Sequence, residues 1–104
     1  RETPIAPSAI PHPVYETTFE TIVPEAMTKS RIDATIAAHA AAAARARKAG
    51  FDCVEVHAAH GYFLDQFLWH GTNIRDDGYG GPDIAHRARF PAEIAAAIHA
   101  ACGP

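Results

Sequence analysis

The sequence predicts an α/β fold organised around a parallel sheet. Three observations carry that expectation. A helical stretch runs from Thr28 to Lys48. A short apolar run, "FDCVEVH" at 51–57, follows it after one tight turn. A second helical stretch extends from about Asp83 to Ala101. Helix, tight turn and buried strand in succession is the pattern that covers a parallel sheet with helices.

Residues 1–27 are expected to be irregular, because Pro4, Pro7, Pro11, Pro13 and Pro24 interrupt any helix. Between these prolines "VYETTFETIV" is rich in β-branched and aromatic residues and fits a short strand or hairpin. Thr28 or Ser30 suits the cap of the first helix. Ile32, Ile36, His39 or Ala40, and Ala43 then share one stripe at helical spacing. The run "AAHAAAAARARKAG" has the highest helix propensity in the chain. Arg45, Arg47 and Lys48 gather in the last turn, where positive charge complements the helix dipole, and Gly50 is placed to end it.

The strand expected near 52–57 is β-branched, though Asp52 and Glu55 interrupt it. Cys53, Glu55 and His57 alternate onto one side. Cys53 is read as a small core residue, and a buried Glu55 would need a partner. "FLDQFLWHGTN" is apolar but irregular, and "RDDGYGGPD" is a loop by its glycines and charges. In the second helix Phe90, Ile94 and Ile98 share a stripe. Pro91 inside it implies either a kink or a short turn ahead of the main helix.

Composition limits the function classes. The 104 residues suffice for one small domain. The net charge of −3 makes no electrostatic case for nucleic acid. No run approaches the roughly 18 apolar residues of a membrane span, and no basic-then-apolar leader opens the chain. Cys53 and Cys102 form no C-x-x-C, so reduced thiols and a cytoplasmic location are expected. The chain opens on Arg1 and closes on Gly103-Pro104, which reads as a piece of something longer.

Chemistry concentrates in "EVHAAHGYFLDQF", residues 55–67. His57 is expected to end the strand, with His60 and Tyr62 on the loop beyond it. Gly61 between them lets the backbone turn sharply. In α/β sheets and barrels the loops after strand C-termini build the active site. Two neighbouring imidazoles can donate N–H bonds to one oxygen anion. A tyrosine hydroxyl can deliver a proton. Two histidines can also ligate a metal, but the spacing offers no clear third ligand, Asp65 being the nearest candidate. Structural, catalytic and metal readings all stay open on spacing alone. His12, His70, His86 and His99 sit in no motif and receive no role.

Three ordered motifs narrow the choice. "AGFDCVEVHAAHGYFLDQFL", then "NIRDDGYGG", then "RARFPAEI" resemble the Old Yellow Enzyme family of FMN-dependent NAD(P)H oxidoreductases. The matching positions are Ala49 to Phe67, Asn73, Arg75, Asp77, Tyr79 to Gly81, and Arg87 to Phe90. "APSAIP" and "EAMT" also look like the family's segment after the third barrel strand. Two departures stand out. The stretch from Gly81 to Arg87 is one residue longer than usual, and His39 stands where an apolar or aromatic residue is customary.

The resemblance implies a (β/α)8 TIM barrel, with this chain supplying about the third helix, fourth strand and fourth helix. A complete barrel takes ~250 residues. Residues 1–104 are therefore read as an internal fragment of a single FMN-dependent barrel domain, inactive alone. The implied cofactor is FMN and the implied reductant NAD(P)H. The implied reaction reduces the C=C bond of alkenes activated by a carbonyl or nitro group. Carried over, His57 and His60 bind the substrate oxygen, His57 also approaches the flavin, and Tyr62 donates the proton. No metal is assigned, and the expected partner is a small-molecule substrate rather than nucleic acid or membrane. Asn73, Arg75, Asp77 and Tyr79 are read as loop scaffold, and Arg87 and Arg89 as ion-pairing residues of the second helix. Two alternatives remain. One is a dienoyl-CoA reductase or amine dehydrogenase branch, whose iron–sulfur cluster would lie outside this chain. The family's amine dehydrogenases tend to carry tyrosine at the position of His57, which weighs against them. The other is a non-catalytic fragment or interaction module.

Overall fold

A computed structural model describes residues 2–12 and 22–103. Two short strands, β1 (Ile5–Ala6) and β2 (Glu25–Ala26), pair in parallel, Ile5 opposite Glu25 and Ala6 opposite Ala26. Helix α1 (Lys29–Lys48) follows, then a single turn, α2 (Asp65–Leu68), then α3 (Ile84–Cys102) packed against both. No helix among the described residues is long and apolar enough to cross a membrane.

The helices form where the sequence signals them. Thr28 caps α1, its hydroxyl accepting from the Arg31 N–H at 3.2 Å. At the far end Phe51 N–H reaches the Ala46 carbonyl and Gly50 N–H the Arg47 carbonyl, the paired bonds of a Schellman motif. Gly50 adopts φ +94 there. Asp83 caps α3 through the Ala85 N–H at 2.9 Å. The helix runs on through Pro91 from Ile84 to Cys102, so no separate turn precedes it.

One apolar core joins these pieces: Met27, Ile32, Leu64, Phe67, Tyr79, Phe90 and Ile94. Phe67 and Phe90 meet at a 45° tilt with centroids 4.4 Å apart, and Phe63 meets both edge-on. The expected stripes are the ones used. Ile32, Ala43, Phe90 and Ile94 are buried, with Ile36 and Ile98 packed partly against them.

The strand expected near 52–57 needs correction. Residues 51–59 belong to neither helix nor strand, and no described backbone bonds to 52–58. A strand exists only when a neighbour takes up its N–H and C=O groups, and none is present among the described residues. Side-chain alternation survives only over 56–58, since Val54 is exposed as well. Val56 and Ala58 pack on the core, while Cys53, Glu55 and His57 are exposed. Cys53 is therefore not a core residue, and Glu55 is not buried. Most of the strand or hairpin expected over 14–23 lies outside the described residues. Its last two residues, Ile22 and Val23, are exposed and irregular.

A long loop, 69–83, is tied down by side chains. Asn73, 2% exposed, donates through Nδ2 to the carbonyls of Phe67 (2.7 Å) and Tyr79 (2.8 Å). Arg75 Nη1 reaches the carbonyls of Pro7 (2.8 Å) and Met27 (2.6 Å), fastening the loop to the ends of β1 and β2. Its Nε and Nη2 grip both carboxylate oxygens of Asp77 at 3.0 and 2.6 Å. The Ile74 N–H adds a bond to Ser8 Oγ at 3.1 Å. Tyr79 is buried, and its hydroxyl donates to Glu93 at 2.8 Å. Burial, reinforced by that carboxylate, pushes its pKa up. These four residues are scaffold, as expected. Arg87 is not an ion-pairing residue: its guanidinium serves the carbonyls of Leu68, Gly81 and Pro82. Arg89 does pair, with Glu93 at 3.4 Å.

The Arg75 hydrogen bonds hold the Asp77 carboxyl below its usual range, against the opposing pull of partial burial. A depressed native pKa means that the ionised group stabilises the fold above the unfolded carboxyl range. That contribution disappears as pH falls through the native value. Asp77→Asn should therefore lower stability at neutral pH, and the deficit should close in acid. The effect is modest because the Asp77 side chain is 44% exposed. Urea midpoints of both proteins, from neutral to strongly acidic pH, measure it; a deficit constant across pH contradicts it.

Candidate active site

The segment 52–58 runs along the core on one side and delivers His57 at its end. The chain then folds back through a tight loop. His60 sits at φ +60 and Gly61 at φ +75, two successive residues in the left-handed region. That double turn brings three side chains together. The His57 ring lies 5.3 Å, centroid to centroid, from both the His60 ring and the Tyr62 ring. All three side chains are exposed, Tyr62 by 50%. Among the described residues no protein group hydrogen-bonds to either imidazole or to the Tyr62 hydroxyl. Three polar side chains without protein partners, on one side of one loop, are free to bind a ligand.

The loop is braced from within. Asp65 Oδ2 accepts the Gly61 N–H at 2.8 Å, Gln66 Nε2 donates to the Gly61 carbonyl at 3.1 Å, and His12 Nε2 lies 2.5 Å from the same oxygen. The Tyr62 N–H closes the turn on the Ala59 carbonyl at 3.2 Å. Asp65, the nearest candidate for a third metal ligand, thus spends its carboxylate on a backbone amide. No three His, Cys, Asp or Glu side chains among the described residues are grouped to hold a metal. His12 carries no motif, and its approach from 49 residues away left no signal in the sequence.

A groove of about 500 Å³ lies between α1 and residues 54–57. Ala43, Ala46, Val54, Val56 and Ile98 line it, and it opens onto His57 and Tyr62. It is an apolar gap between helix and extended chain. His39 sits at its margin, half-buried, with Nδ1 bonded to the Thr35 carbonyl of its own helix at 2.8 Å.

An α/β chain that presents two histidines and a tyrosine beyond its central extended segment has close counterparts among flavin oxidoreductases. The sequence model of the NADH:flavin oxidoreductase / NADH oxidase family matches residues 1–104, and the chain belongs to that family. An NADPH dehydrogenase of Clostridium acetobutylicum is 45% identical over 95 residues, covering 91% of this chain and 26% of the relative. A flavin oxidoreductase of Emericella nidulans is 42% identical over 105 residues, 98% of this chain and 27% of the relative. The solved structure of morphinone reductase superposes with a TM-score of 0.88 at 40% identity, over 99% of this chain and 30% of that one. An Old Yellow Enzyme homologue from Zymomonas mobilis also gives 0.88, at 35% identity over 98% and 30%. The chain spans about a quarter of the length of the curated relatives it matches. The resemblance read from the three motifs is borne out.

Gly61 is a position where a side chain is strained. Its φ of +75 strains any L-residue, and an added Cβ would stand 3.0 Å from His12 Nε2. Gly61→Ala should destabilise the fold by about 1–2 kcal/mol from the left-handed conformation alone. Chemical denaturation reads this directly, and equal midpoints for the two proteins would refute it.

Proposed function

We propose that this chain is an internal segment, residues 1–104, of an FMN-dependent NAD(P)H oxidoreductase of the ene-reductase type. It supplies about the third helix, fourth strand and fourth helix of a (β/α)8 barrel. The reaction is reduction of a C=C bond conjugated to a carbonyl or nitro group. One observation carries the reading: His57, His60 and Tyr62 stand together, exposed and with no hydrogen-bond partner among the described residues, where the segment 52–58 ends. The open backbone of 52–58 supports placement between two further strands, and the quarter-length coverage of the relatives supports an internal position.

The cofactor fits this chain in part. An exposed imidazole N–H on His57 suits a carbonyl or ring nitrogen at the edge of an isoalloxazine. Arg75 and Arg87 are not free for the phosphate, since they spend their guanidinium groups on carbonyls and on Asp77. His57 would contact the ring, and residues other than Arg75 and Arg87 would hold the phosphate. Bound FMN supplies the hydride; orientation and charge stabilisation belong to the protein.

His57 and His60 donate N–H bonds to the substrate's carbonyl or nitro oxygen and stabilise the enolate-like charge that develops there. Fixed donors cost no reorganisation as the charge appears. Tyr62 holds its proton on the phenol oxygen and gives it to the α-carbon as general acid. The groups thus divide the work, the histidines taking the charge and the tyrosine the proton.

Tyr62→Phe in the full-length enzyme should leave flavin reduction by NAD(P)H nearly intact. It should slow reoxidation by an enone by ~10²–10⁴-fold, the range for losing a general acid. His60→Ala should weaken phenol binding and slow enone reduction by about 10²–10³-fold, as for losing an oxyanion donor. A nitroalkene separates the roles, because its nitronate product is stable without protonation. Stopped-flow traces should show Tyr62→Phe still reoxidised by the nitroalkene. If that step slows as severely as the enone step, Tyr62 is not the proton donor.

A second outcome concerns the 104-residue chain alone. Spanning about a quarter of its relatives' length, it should not bind FMN tightly. A fluorescence titration giving stoichiometric binding at micromolar concentration would contradict this.

A further inference from the structure

Gly61 joins the second histidine to the tyrosine, and its backbone is held at both its N–H and its carbonyl. Asp65 takes its N–H, while Gln66 and His12 meet its carbonyl. The grip matters because His60 is a non-glycine residue at φ +60, a conformation that tends to relax to negative φ. Relaxation would swing the His60 ring relative to His57 and Tyr62. Apart from the single turn bond from Tyr62 to Ala59, these side chains are the hydrogen bonds that hold residues 59–61.

The grip is mounted on a fixed base. Asp65 and Gln66 begin α2, whose Phe67 is fully buried. Thr72 Oγ1 bonds the Gln66 carbonyl at 2.8 Å, and Asn73 bonds the Phe67 carbonyl. Both holding side chains thus project from a turn pinned to the core. Their hydrogen bonds go to the peptide, not to the three rings.

We propose that Asp65 and Gln66 are positioning residues for the reacting side chains, acting through the Gly61 peptide, with His12 as a third contact. This rests on reading His57, His60 and Tyr62 as the reacting groups. Asp65 contributes an oxygen acceptor for an amide, so asparagine, which keeps such an oxygen, substitutes for it and alanine does not. Gln66 contributes a donor, so methionine of similar length fails to replace it.

The test uses the full-length flavoprotein and two readouts that do not require turnover. One is hydrogen exchange at the Gly61 amide, which reports the grip itself. The other is affinity for 4-nitrophenolate, an oxygen anion of the kind the two imidazoles would hold, followed by its visible absorbance. Asp65→Ala should speed Gly61 exchange and weaken 4-nitrophenolate binding, each by about tenfold or more, the scale of losing a charge-assisted hydrogen bond. Asp65→Asn should restore most of both, and thermal unfolding of the variants should stay cooperative. Native phenolate affinity in Asp65→Ala overturns the proposal, as does failure of Asp65→Asn to rescue. If Asp65→Ala does not fold, Gln66→Met carries the same two readouts, and unchanged phenolate binding there overturns it. Failure of the catalytic reading has a different signature. His60→Ala would then bind 4-nitrophenolate as the native protein does, while Gly61 exchange would still respond to Asp65→Ala; that result removes the positioning role together with the reading beneath it.

Discussion

The buried amide of Asn73 is the tie on which the rest of the architecture depends. One –NH₂ group satisfies two carbonyls, those of Phe67 and Tyr79, in a place where neither has access to water. Leaving either unpaired would cost about 1–3 kcal/mol. The bond to Phe67 fixes the end of α2. The bond to Tyr79 fixes the middle of the 69–83 loop. Arg75 then carries that loop to Pro7 and Met27, which stand beside β1 and β2. From one side chain the constraint spreads to both strands, to the core and, through α2, to the loop bearing His60 and Tyr62.

This arrangement divides labour by exposure. The side chains that carry the motif's downstream half, Asn73, Arg75, Asp77 and Tyr79, are engaged with protein groups. His57, His60 and Tyr62 of the upstream half make no hydrogen bond to any described protein group. A polar group without a partner is tolerable at the surface, where water serves it, and becomes useful when a ligand replaces that water. The same stretch of sequence therefore contains a frame and a working face, and hydrogen-bond partners tell one from the other.

Much of the frame was legible in the sequence, for local reasons. The helix at 29–48 announces itself by Thr28 at one end and Gly50 at the other, with Ile32 and Ala43 on the buried stripe between. Asp83 and the Phe90–Ile94 pair do the same for the second helix. The grouping of His57, His60 and Tyr62 was legible because one short loop holds all three. Contacts made across long separations were not. His12 touching Gly61, and Arg75 touching Pro7, join residues whose sequence neighbourhoods say nothing of each other. Strand character at 52–57 was misjudged for the same reason: side-chain alternation is a local property, whereas pairing depends on a second backbone. Cys53 was misplaced with it, since burial on that side requires something to cover it.

The open backbone of 52–58 has a consequence for how the protein is made. A short apolar stretch with free N–H and C=O groups on both edges is a template for any other extended chain it meets. A second copy of the same stretch is one such chain. Asp52 and Glu55 oppose that competitor, because two copies aligned in register would set carboxylate beside carboxylate. Charges that interrupt an apolar run thus act as gatekeepers against self-association.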